Sequence, residues 1–158
     1  MNIIAYLTPK ENTFFLDSKS TIRQALEKYD YHKFTVIPLV DDSGKYIATV
    51  SEGDILRFIK NHAHFDIKLA ENTLLLNIEK YRPFKTLDIN CSDQEIIMLS
   101  MEQNFIPIID DRGMYIGIIK RKDVIRYLYK KYAMKELVKW FLSDIIMAKF
   151  SILTIVRF

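Results

Sequence analysis

The sequence predicts an α+β protein in which two β-α-β-β-α repeats dock sheet to sheet, followed by an additional apolar helix at the C-terminus. The segment at residues 38–59 recurs at residues 107–128, and eight of the 22 aligned positions are identical. Each copy has two short apolar runs around a turn signal and then changes to helical periodicity. A unit of this size cannot bury both faces of its sheet alone, so the two halves are expected to pack together.

The first repeat begins with an expected strand at residues 14–16 and a helix at 21–31, where apolar side chains recur at helical spacing. A strand at 35–40 then ends at Asp41-Asp42-Ser43-Gly44, a cluster typical of a tight turn. The returning strand at 46–50 leads into a helix whose first turn Ser51 can cap with its hydroxyl group. The order of elements is therefore β-α-β-β-α.

The second repeat follows the same order, with strands at 86–89, 105–109 and 115–119 and helices at 94–103 and 121–132. We divide the chain into a first repeat at 1–66, a connector at 67–82, a second repeat at 83–132 and a tail at 133–158. The tail is apolar and partly amphipathic between Leu137 and Ala148. We expect it to pack or to form a dimer contact, and attachment to a membrane surface is the alternative.

Composition narrows the class of protein. The chain of 158 residues has a formal charge of +3 without a sustained basic stripe, which argues against a nucleic-acid partner. A single cysteine, Cys91, and an N-terminus without signal-peptide features indicate a cytoplasmic protein. Asp144 and Lys149 interrupt the apolar tail, so no transmembrane segment is expected.

Several residues are of types that often form metal sites or active sites, but simpler structural roles are expected for them here. The aspartate pairs at 41–42 and 110–111 occupy equivalent hairpin turns and are expected to form those turns, not a metal site. His62, His64 and Asp66 have no second cluster to complete a metal site. The phosphate-loop, dinucleotide-binding and nucleophile-elbow motifs are absent, so we expect neither an enzyme nor a bound cofactor or metal.

The repeat resembles the cystathionine-β-synthase (CBS) domain, and its doubling resembles the Bateman module that two such domains form. The resemblance covers roughly residues 6–131. It depends on strands that end in proline, at residues 35–38 and 105–107, and on the pattern Gly-apolar-x-Ser/Thr-x-x-Asp at residues 48–54 and 117–123. Ala48 replaces the glycine in the first copy, and Lys120 replaces the hydroxyl residue in the second. Residues 7–10 and 52–54 look like those of stand-alone bacterial pairs.

The resemblance implies a regulatory module that binds AMP, ADP, ATP or cyclic di-AMP and acts on a partner protein that the sequence does not identify. It also implies two ligand sites, each drawing a strand from one repeat and a helix start from the other. The first site combines Asn12, Thr13, Phe14, Phe34, Thr35 and Val36 with Lys120, Arg121 and Asp123. The second combines residues 81–84, including Phe84, and the pair Phe105 and Ile106 with Ser51 and Asp54.

Elementary chemistry supports a nucleotide at these helix starts. The free backbone amides and partial positive charge of a helix N-terminus suit a phosphate, to which Ser51 or Lys120 can add a contact. Asp54 or Asp123, one turn later, can accept hydrogen bonds from both ribose hydroxyls. The alternatives are an ordinary helix cap at Ser51 and Asp54, and an unused site at Lys120.

Two functions therefore compete. The first is a nucleotide sensor in which ligand binding shifts the two repeats and changes affinity for the partner protein. The second is a ligand-free dimerisation scaffold with the same fold. In both cases we expect a homodimer, since a closed symmetric pair would cover the apolar tail.

Overall fold

The computed structural model describes residues 3–32 and 35–135, and the chain divides into two compact units, residues 1–121 and 122–158. The architecture is α+β with two sheets, as predicted. Phe34 and the tail from residue 136 onward lie outside the described residues, so the role expected for the tail stays a prediction. Within the described part, no helix combines the length and the apolar character that crossing a bilayer requires.

The first sheet has the order β2-β3-β4 and belongs to the first repeat. Strand β2 (Leu16–Asp17) runs parallel to β3 (Val36–Val40), which pairs antiparallel with β4 (Tyr46–Ser51). Helix α1 (Ile22–His32) connects β2 to β3, and α2 (Glu52–Asn61) follows β4 directly. The order of the elements is the predicted one, and the bounds agree with the predicted bounds to within about two residues.

The second sheet has the order β1-β7-β6-β5. Strands β5 (Leu87–Asp88), β6 (Phe105–Ile109) and β7 (Tyr115–Lys120), with helix α4 (Asp93–Glu102), repeat the arrangement of the first sheet. The added strand β1 (Thr8–Pro9) comes from the start of the chain and pairs antiparallel with β7. The sequence did not predict this strand, which ties the N-terminal segment to the second repeat.

The first sheet and its helices enclose an apolar core. The central side chains come from α1, β3, β4 and α2, with contributions from the segment after α2, and each is at most 1% exposed: Ile22, Leu39, Val50, Ile55 and Leu75. Branched aliphatic residues suit both the strands and the apolar faces of the helices that cover them. This core fixes α2, whose first turn carries two of the predicted site residues.

The two hairpin turns confirm the turn-forming role predicted for the first aspartate of each pair, Asp41 and Asp110. In the first, Asp41 Oδ1 accepts the backbone N–H groups of Ser43 and Lys45, both at 2.9 Å. In the second, Asp110 Oδ1 accepts the N–H groups of Arg112 and Met114 at 3.0 and 2.8 Å. These carboxylates therefore organise the turns, because each satisfies two backbone donors of its own loop.

The same two hairpins join the repeats to each other. The Tyr46 N–H donates to the Gly113 carbonyl at 3.1 Å, and the Tyr115 N–H donates to the Gly44 carbonyl at 2.9 Å. These bonds are reciprocal, because the repeat aligns Gly44 with Gly113 and Tyr46 with Tyr115. The two tyrosine rings lie 6.4 Å apart, and burial raises the pKa of each to about 12.

The predicted connector contains a short helix and a 3₁₀ turn that the sequence did not predict. Helix α3 (Ile67–Asn72) packs against α1 and is capped by Asp66, which accepts the Leu69 N–H at 2.7 Å. A 3₁₀ turn follows at Leu75–Asn77.

A lysine then fixes the segment that leads toward the second repeat. The ammonium group of Lys80 donates to the carbonyls of Leu75, Leu76 and Ile78 at 2.5, 3.1 and 2.6 Å. An ammonium group has three donors, and here each has an acceptor. This segment is therefore held in one conformation immediately before Tyr81.

Helix α5, at residues 121–135, supplies from residue 122 onward the described part of the second unit. Val124 and Tyr127 are its buried apolar side chains. Ile125, Tyr129 and Tyr132 lie on the same helix with more than half of their surface exposed.

Candidate functional site

Ser51 and Asp54 form a complete capping box at the start of α2. The Ser51 hydroxyl oxygen accepts the Asp54 N–H at 3.1 Å, and Asp54 Oδ2 accepts both the Ser51 N–H at 2.9 Å and the Ser51 O–H at 2.7 Å. Each residue thus satisfies a backbone donor of the other. The cap predicted for Ser51 is confirmed, and Asp54 is more deeply involved in it than expected.

The other oxygen of Asp54 contacts the end of the connector, just before the second repeat. Oδ1 accepts the backbone N–H of Tyr81 at 3.0 Å, and Nη1 of Arg57 lies 3.7 Å away. The guanidinium of Arg57 also stacks on the Tyr81 ring, 4.0 Å from its centroid. Asp54 is only 5% exposed, so these contacts compensate the cost of burying its charge.

The geometry limits what Asp54 can still accept. A carboxylate offers about four acceptor positions, and three are occupied by Ser51 and Tyr81. One position on Oδ1 remains. Asp54 can therefore accept from one ribose hydroxyl, not from both as the sequence suggested, while Tyr81 keeps its bond.

The amides at the start of α2 are also less available than predicted. The Glu52 N–H donates to the Thr35 carbonyl at 3.0 Å, and the Asp54 N–H is taken by the Ser51 hydroxyl. The first turn has three amides, at residues 52–54, and the Gly53 N–H takes part in neither of these two bonds. Two acidic side chains, Glu52 and Asp54, also lie in this turn and weaken its attraction for an anion.

The expected aromatic part of the second site is assembled at the start of β6. The ring of Phe84 lies 5.0 Å from that of Phe105, with an angle of 30° between their planes. Gln103 connects their two segments, because its amide group donates to the carbonyls of Lys85 and Phe105, both at 2.9 Å. Ile106 has no exposed surface, so neither its side chain nor its backbone is accessible to a ligand in this conformation.

Three of the residues expected in the first site belong to the N-terminal segment itself. Asn12 is exposed at the end of a 3₁₀ turn, and the Thr13 hydroxyl donates to the Lys10 carbonyl at 2.8 Å and accepts from the Tyr115 hydroxyl at 3.2 Å. Phe14 is half-buried, with the ammonium group of Lys28 5.7 Å from its ring centroid.

Two further residues of that site, Thr35 and Val36, lie at the start of β3. Val36 is paired with Ser51 of its own repeat, and the Thr35 carbonyl accepts the Glu52 N–H. The structure therefore brings this strand start to the helix start of the same repeat.

Lys120 and Arg121 differ in how freely they can meet a phosphate. Lys120 ends β7 opposite Phe105 and is half-buried. Arg121 donates its backbone N–H to the Asn104 carbonyl at 2.9 Å and its Nε–H to the Ser100 carbonyl at 2.7 Å. Lys120 is thus the better placed of the two cations, since the Arg121 side chain already has an acceptor on α4.

Asp123 belongs to the second unit and has a simpler environment than Asp54. It is 8% exposed, and its Oδ1 accepts from Nη1 of Arg126 at 2.9 Å. Within the described residues its Oδ2 has no hydrogen-bond partner, because Lys120 stands where the first repeat has the capping serine. Asp123 therefore keeps more free acceptor positions than Asp54.

The described residues contain no group of three or more side chains that could hold a metal ion. His62, considered above as a metal ligand, stacks on Phe58 with ring centroids 3.9 Å apart, and its Nδ1 lies 2.7 Å from the Phe58 carbonyl. It serves as the C-cap residue of α2.

Arg57 and Gln103 were not among the site residues predicted from the sequence. One signal was present for Arg57, since arginine occupies the equivalent positions 57 and 126 in both repeats. Gln103 has no such signal, because glutamine is usually an exposed helix residue.

The sequence of this chain is similar to a known domain family and to parts of two larger proteins. The model of the CBS domain matches residues 5–61 and 80–130. An A-adding tRNA nucleotidyltransferase from Aquifex aeolicus is 24% identical over 115 residues, and a homoserine O-acetyltransferase from Methanohalophilus mahii is 28% identical over 109 residues. These matches cover 72% and 69% of this chain but only 13% and 21% of those proteins.

Solved structures share the fold. A CBS domain protein from Streptococcus pneumoniae is similar with a TM-score of 0.74 at 20% identity, covering 81% of this chain and 86% of that one. The Listeria monocytogenes CbpB protein in complex with c-di-AMP gives 0.73 at 16% identity, covering 84% and 98%. CBSX2 in complex with AMP gives 0.66 at 22% identity, covering 83% and 98%.

Proposed function

This chain belongs to the CBS domain family, and from that premise we propose that it is a regulatory module that binds an adenine nucleotide and acts through a partner protein. The observation that carries the proposal is the buried carboxylate of Asp54, which lies at a helix start of the first repeat and bonds to Tyr81 of the second matched segment. A ligand that used the free acceptor on Asp54 would act where the two repeats meet, which is the position a sensor requires.

The ligand class is supported by the related structures. CbpB was solved with c-di-AMP and CBSX2 with AMP. The candidate ligands for this chain are therefore AMP, ADP, ATP and cyclic di-AMP. The weak likeness to two transferases covers a small part of those enzymes and does not establish enzymatic activity.

The second candidate function is a ligand-free scaffold. It is favoured by one specific observation, since Asp54 already accepts three hydrogen bonds and Arg57 already covers the Tyr81 ring. In a scaffold, the contacts of Asp54 and Arg57 with Tyr81 would serve only to stabilise the packing of the repeats.

Thermal unfolding in the presence of nucleotides separates the two functions. A ligand at about 100 times its Kd adds roughly 2.7 kcal/mol to the free energy of unfolding, which should raise Tm by several degrees. We expect this increase with AMP or cyclic di-AMP and not with GMP at the same concentration, because GMP matches the charge but not the base. An unchanged Tm with all the adenine nucleotides would contradict the sensor and leave the scaffold.

A further inference from the structure

The arginines at the equivalent positions 57 and 126 contact their aspartates differently. In the second repeat, Nη1 of Arg126 donates to Asp123 Oδ1 at 2.9 Å. In the first repeat, Nη1 of Arg57 lies 3.7 Å from Asp54 Oδ1, and that oxygen accepts the Tyr81 N–H at 3.0 Å instead. The end of the connector therefore occupies the place that the guanidinium has in the second repeat, and Arg57 is displaced from it.

The displaced guanidinium keeps most of its hydrogen-bonding capacity. Nη1 of Arg57 donates to the Gly53 carbonyl at 3.1 Å, and no other hydrogen bond of this side chain joins it to a described residue. An arginine has five N–H donors, arranged around the edge of a plane. The face of that plane lies on the Tyr81 ring, which holds the group without using these donors. Half of the side chain is exposed, so an anion can reach it.

Arg57 lines a pocket of about 340 Å³ between α2 and the end of the connector, together with Asp54 and Tyr81. Among the lining residues that the structure describes, Arg57 is the one lysine or arginine. Lys80, on the neighbouring segment, gives its three donors to backbone carbonyls. An anion in this pocket therefore has one cationic partner.

The start of α2 cannot supply a phosphate contact in place of Arg57. The Ser51 hydroxyl, to which the sequence assigned that contact, donates its proton to Asp54 Oδ2 at 2.7 Å. The backbone N–H groups of Glu52 and Asp54 are bonded within the protein. The carboxylates of the same two residues repel an anion from this turn.

The spacing along α2 places Arg57 within reach of a nucleotide. Asp54 and Arg57 are one turn apart, and the guanidinium lies 3.7 Å from the Asp54 oxygen that keeps an acceptor position. The 5′-phosphate of a nucleotide begins one sugar ring away from a ribose hydroxyl bound at that oxygen. A long, half-exposed arginine can follow the phosphate, and its planar donors match two phosphate oxygens at once.

We propose that Arg57 binds the 5′-phosphate of a nucleotide whose ribose hydrogen-bonds to Asp54, and that it makes this site select nucleotides over nucleosides. The inference rests on the proposed function and names the residue that recognises the phosphate. It assigns different roles to equivalent arginines, because Arg126 serves its own aspartate whereas Arg57 is available to a ligand.

Calorimetric titration of the full chain with adenosine and with AMP tests this assignment, since the two ligands differ only in the phosphate. Each chain also carries Asp123→Ala, so that binding at the first site does not obscure this one. In this background AMP should bind roughly tenfold more tightly than adenosine. Arg57→Gln should remove most of that preference, while the affinity for adenosine should change by less than about twofold.

Two further variants separate the charge of Arg57 from its stacking on Tyr81. Arg57→Lys keeps a cation but loses the planar group, so it should prefer AMP more strongly than Arg57→Gln does. Arg23→Gln is the matched control, because it removes an exposed arginine that pairs with Glu27 and Glu71 and does not line the pocket. Its preference for AMP should equal that of the parent chain. Equal Tm values confirm that the variants fold alike.

Other outcomes overturn the inference in distinguishable ways. If Arg57→Gln weakens adenosine and AMP equally, or if Arg57→Lys behaves as Arg57→Gln does, the arginine acts through its stacking and not through the phosphate. An unchanged affinity of Arg57→Gln for AMP also contradicts the assignment. If wild type binds AMP but the Asp123→Ala chain binds neither ligand, this inference fails and the proposed function stands. If wild type binds no adenine nucleotide, both fail.

Discussion

Asp54 and Asp123 occupy equivalent positions in the two repeats but have different partners. Asp54 is bonded to Ser51 and Tyr81, whereas Asp123 pairs, among the residues that the structure describes, with Arg126 alone. One substitution, lysine for serine at position 120, accounts for the missing cap in the second repeat. The two aspartates should therefore contribute unequally to stability even where they contribute equally to binding.

We predict that Asp54→Ala lowers the free energy of unfolding by about 2–4 kcal/mol, because it leaves the N–H groups of Ser51 and Tyr81 without their acceptor. Asp123→Ala should cost about 1 kcal/mol or less, because its partner Arg126 is half-exposed and can be hydrated. Urea unfolding of both variants measures the difference. Equal losses would show that the Asp54 contacts contribute nothing beyond a surface ion pair. Each variant that folds should also bind nucleotide more weakly.

At the scale of residues, the sequence was informative where the signal was local. Ser51 could be predicted as a cap because its partner lies three positions later. The bond from Tyr81 to Asp54 spans 27 positions, and no local pattern encodes it. The same holds for the position of Gln103 between Lys85 and Phe105, which depends on how two distant segments meet.

At the scale of elements, strand β1 explains a difference between the two copies. Gly117 has a φ of +155°, and a Cβ placed there would lie 2.2 Å from the Thr8 carbonyl oxygen. In the first repeat the equivalent residue is Ala48, in β4, an edge strand that within the described part of the chain pairs with β3 alone. The glycine of the family pattern is therefore required here by the close approach of β1, and its absence at position 48 has a structural reason.

We predict that Gly117→Ala lowers the free energy of unfolding by about 2–4 kcal/mol, because a methyl group there must displace the backbone of β1 and strain its own. The matched control, Ala48→Gly, should cost only about 0.5–1 kcal/mol, the usual effect of glycine within a strand. Denaturant unfolding of both variants tests this. A cost for Gly117→Ala no larger than that for Ala48→Gly would contradict the pairing of β1 with β7.

The elements that the sequence missed are short. Strand β1 has two residues and helix α3 has six, too few for hydrophobic periodicity to reveal them. Only Asp66, a cap residue before an apolar position, hinted at α3. The repeated strands and helices were predictable because each pattern occurs twice, so that one copy supports the interpretation of the other.

At the scale of the whole molecule, the described contact between the repeats is built from equivalent residues. The reciprocal bonds between the two hairpins use the Gly44 and Gly113 carbonyls with the Tyr46 and Tyr115 amides. The sequence predicted that the halves pack together, but not that they meet through backbone bonds at the turns, since backbone pairing leaves no trace in side-chain type. Homodimerisation and the regulated partner stay predictions at this scale.

The buried tyrosines at this contact predict alkaline unfolding. Their pKa values are about 12 in the folded chain, because burial disfavours the charged form, whereas an unfolded tyrosine titrates near 10. The stability that the two protonated tyrosines contribute is therefore fully present below about pH 10 and is lost as pH rises toward 12, by up to about 1.4 kcal/mol per pH unit for each tyrosine. Urea unfolding at pH 8, 10 and 11 should show this decline.

The variant Tyr46→Phe should reduce the slope of that decline above pH 10, because phenylalanine keeps the ring and removes the proton. It also loses the hydrogen bond between the Tyr46 and Thr49 hydroxyls, 2.8 Å apart, which lowers stability by about 1 kcal/mol below pH 10 as well. Tyr129→Phe is the control, since the Tyr129 side chain is 74% exposed. If Tyr46→Phe and Tyr129→Phe give the slope of wild type, the contact between the hairpins is open to water and the tyrosines do not couple its stability to pH.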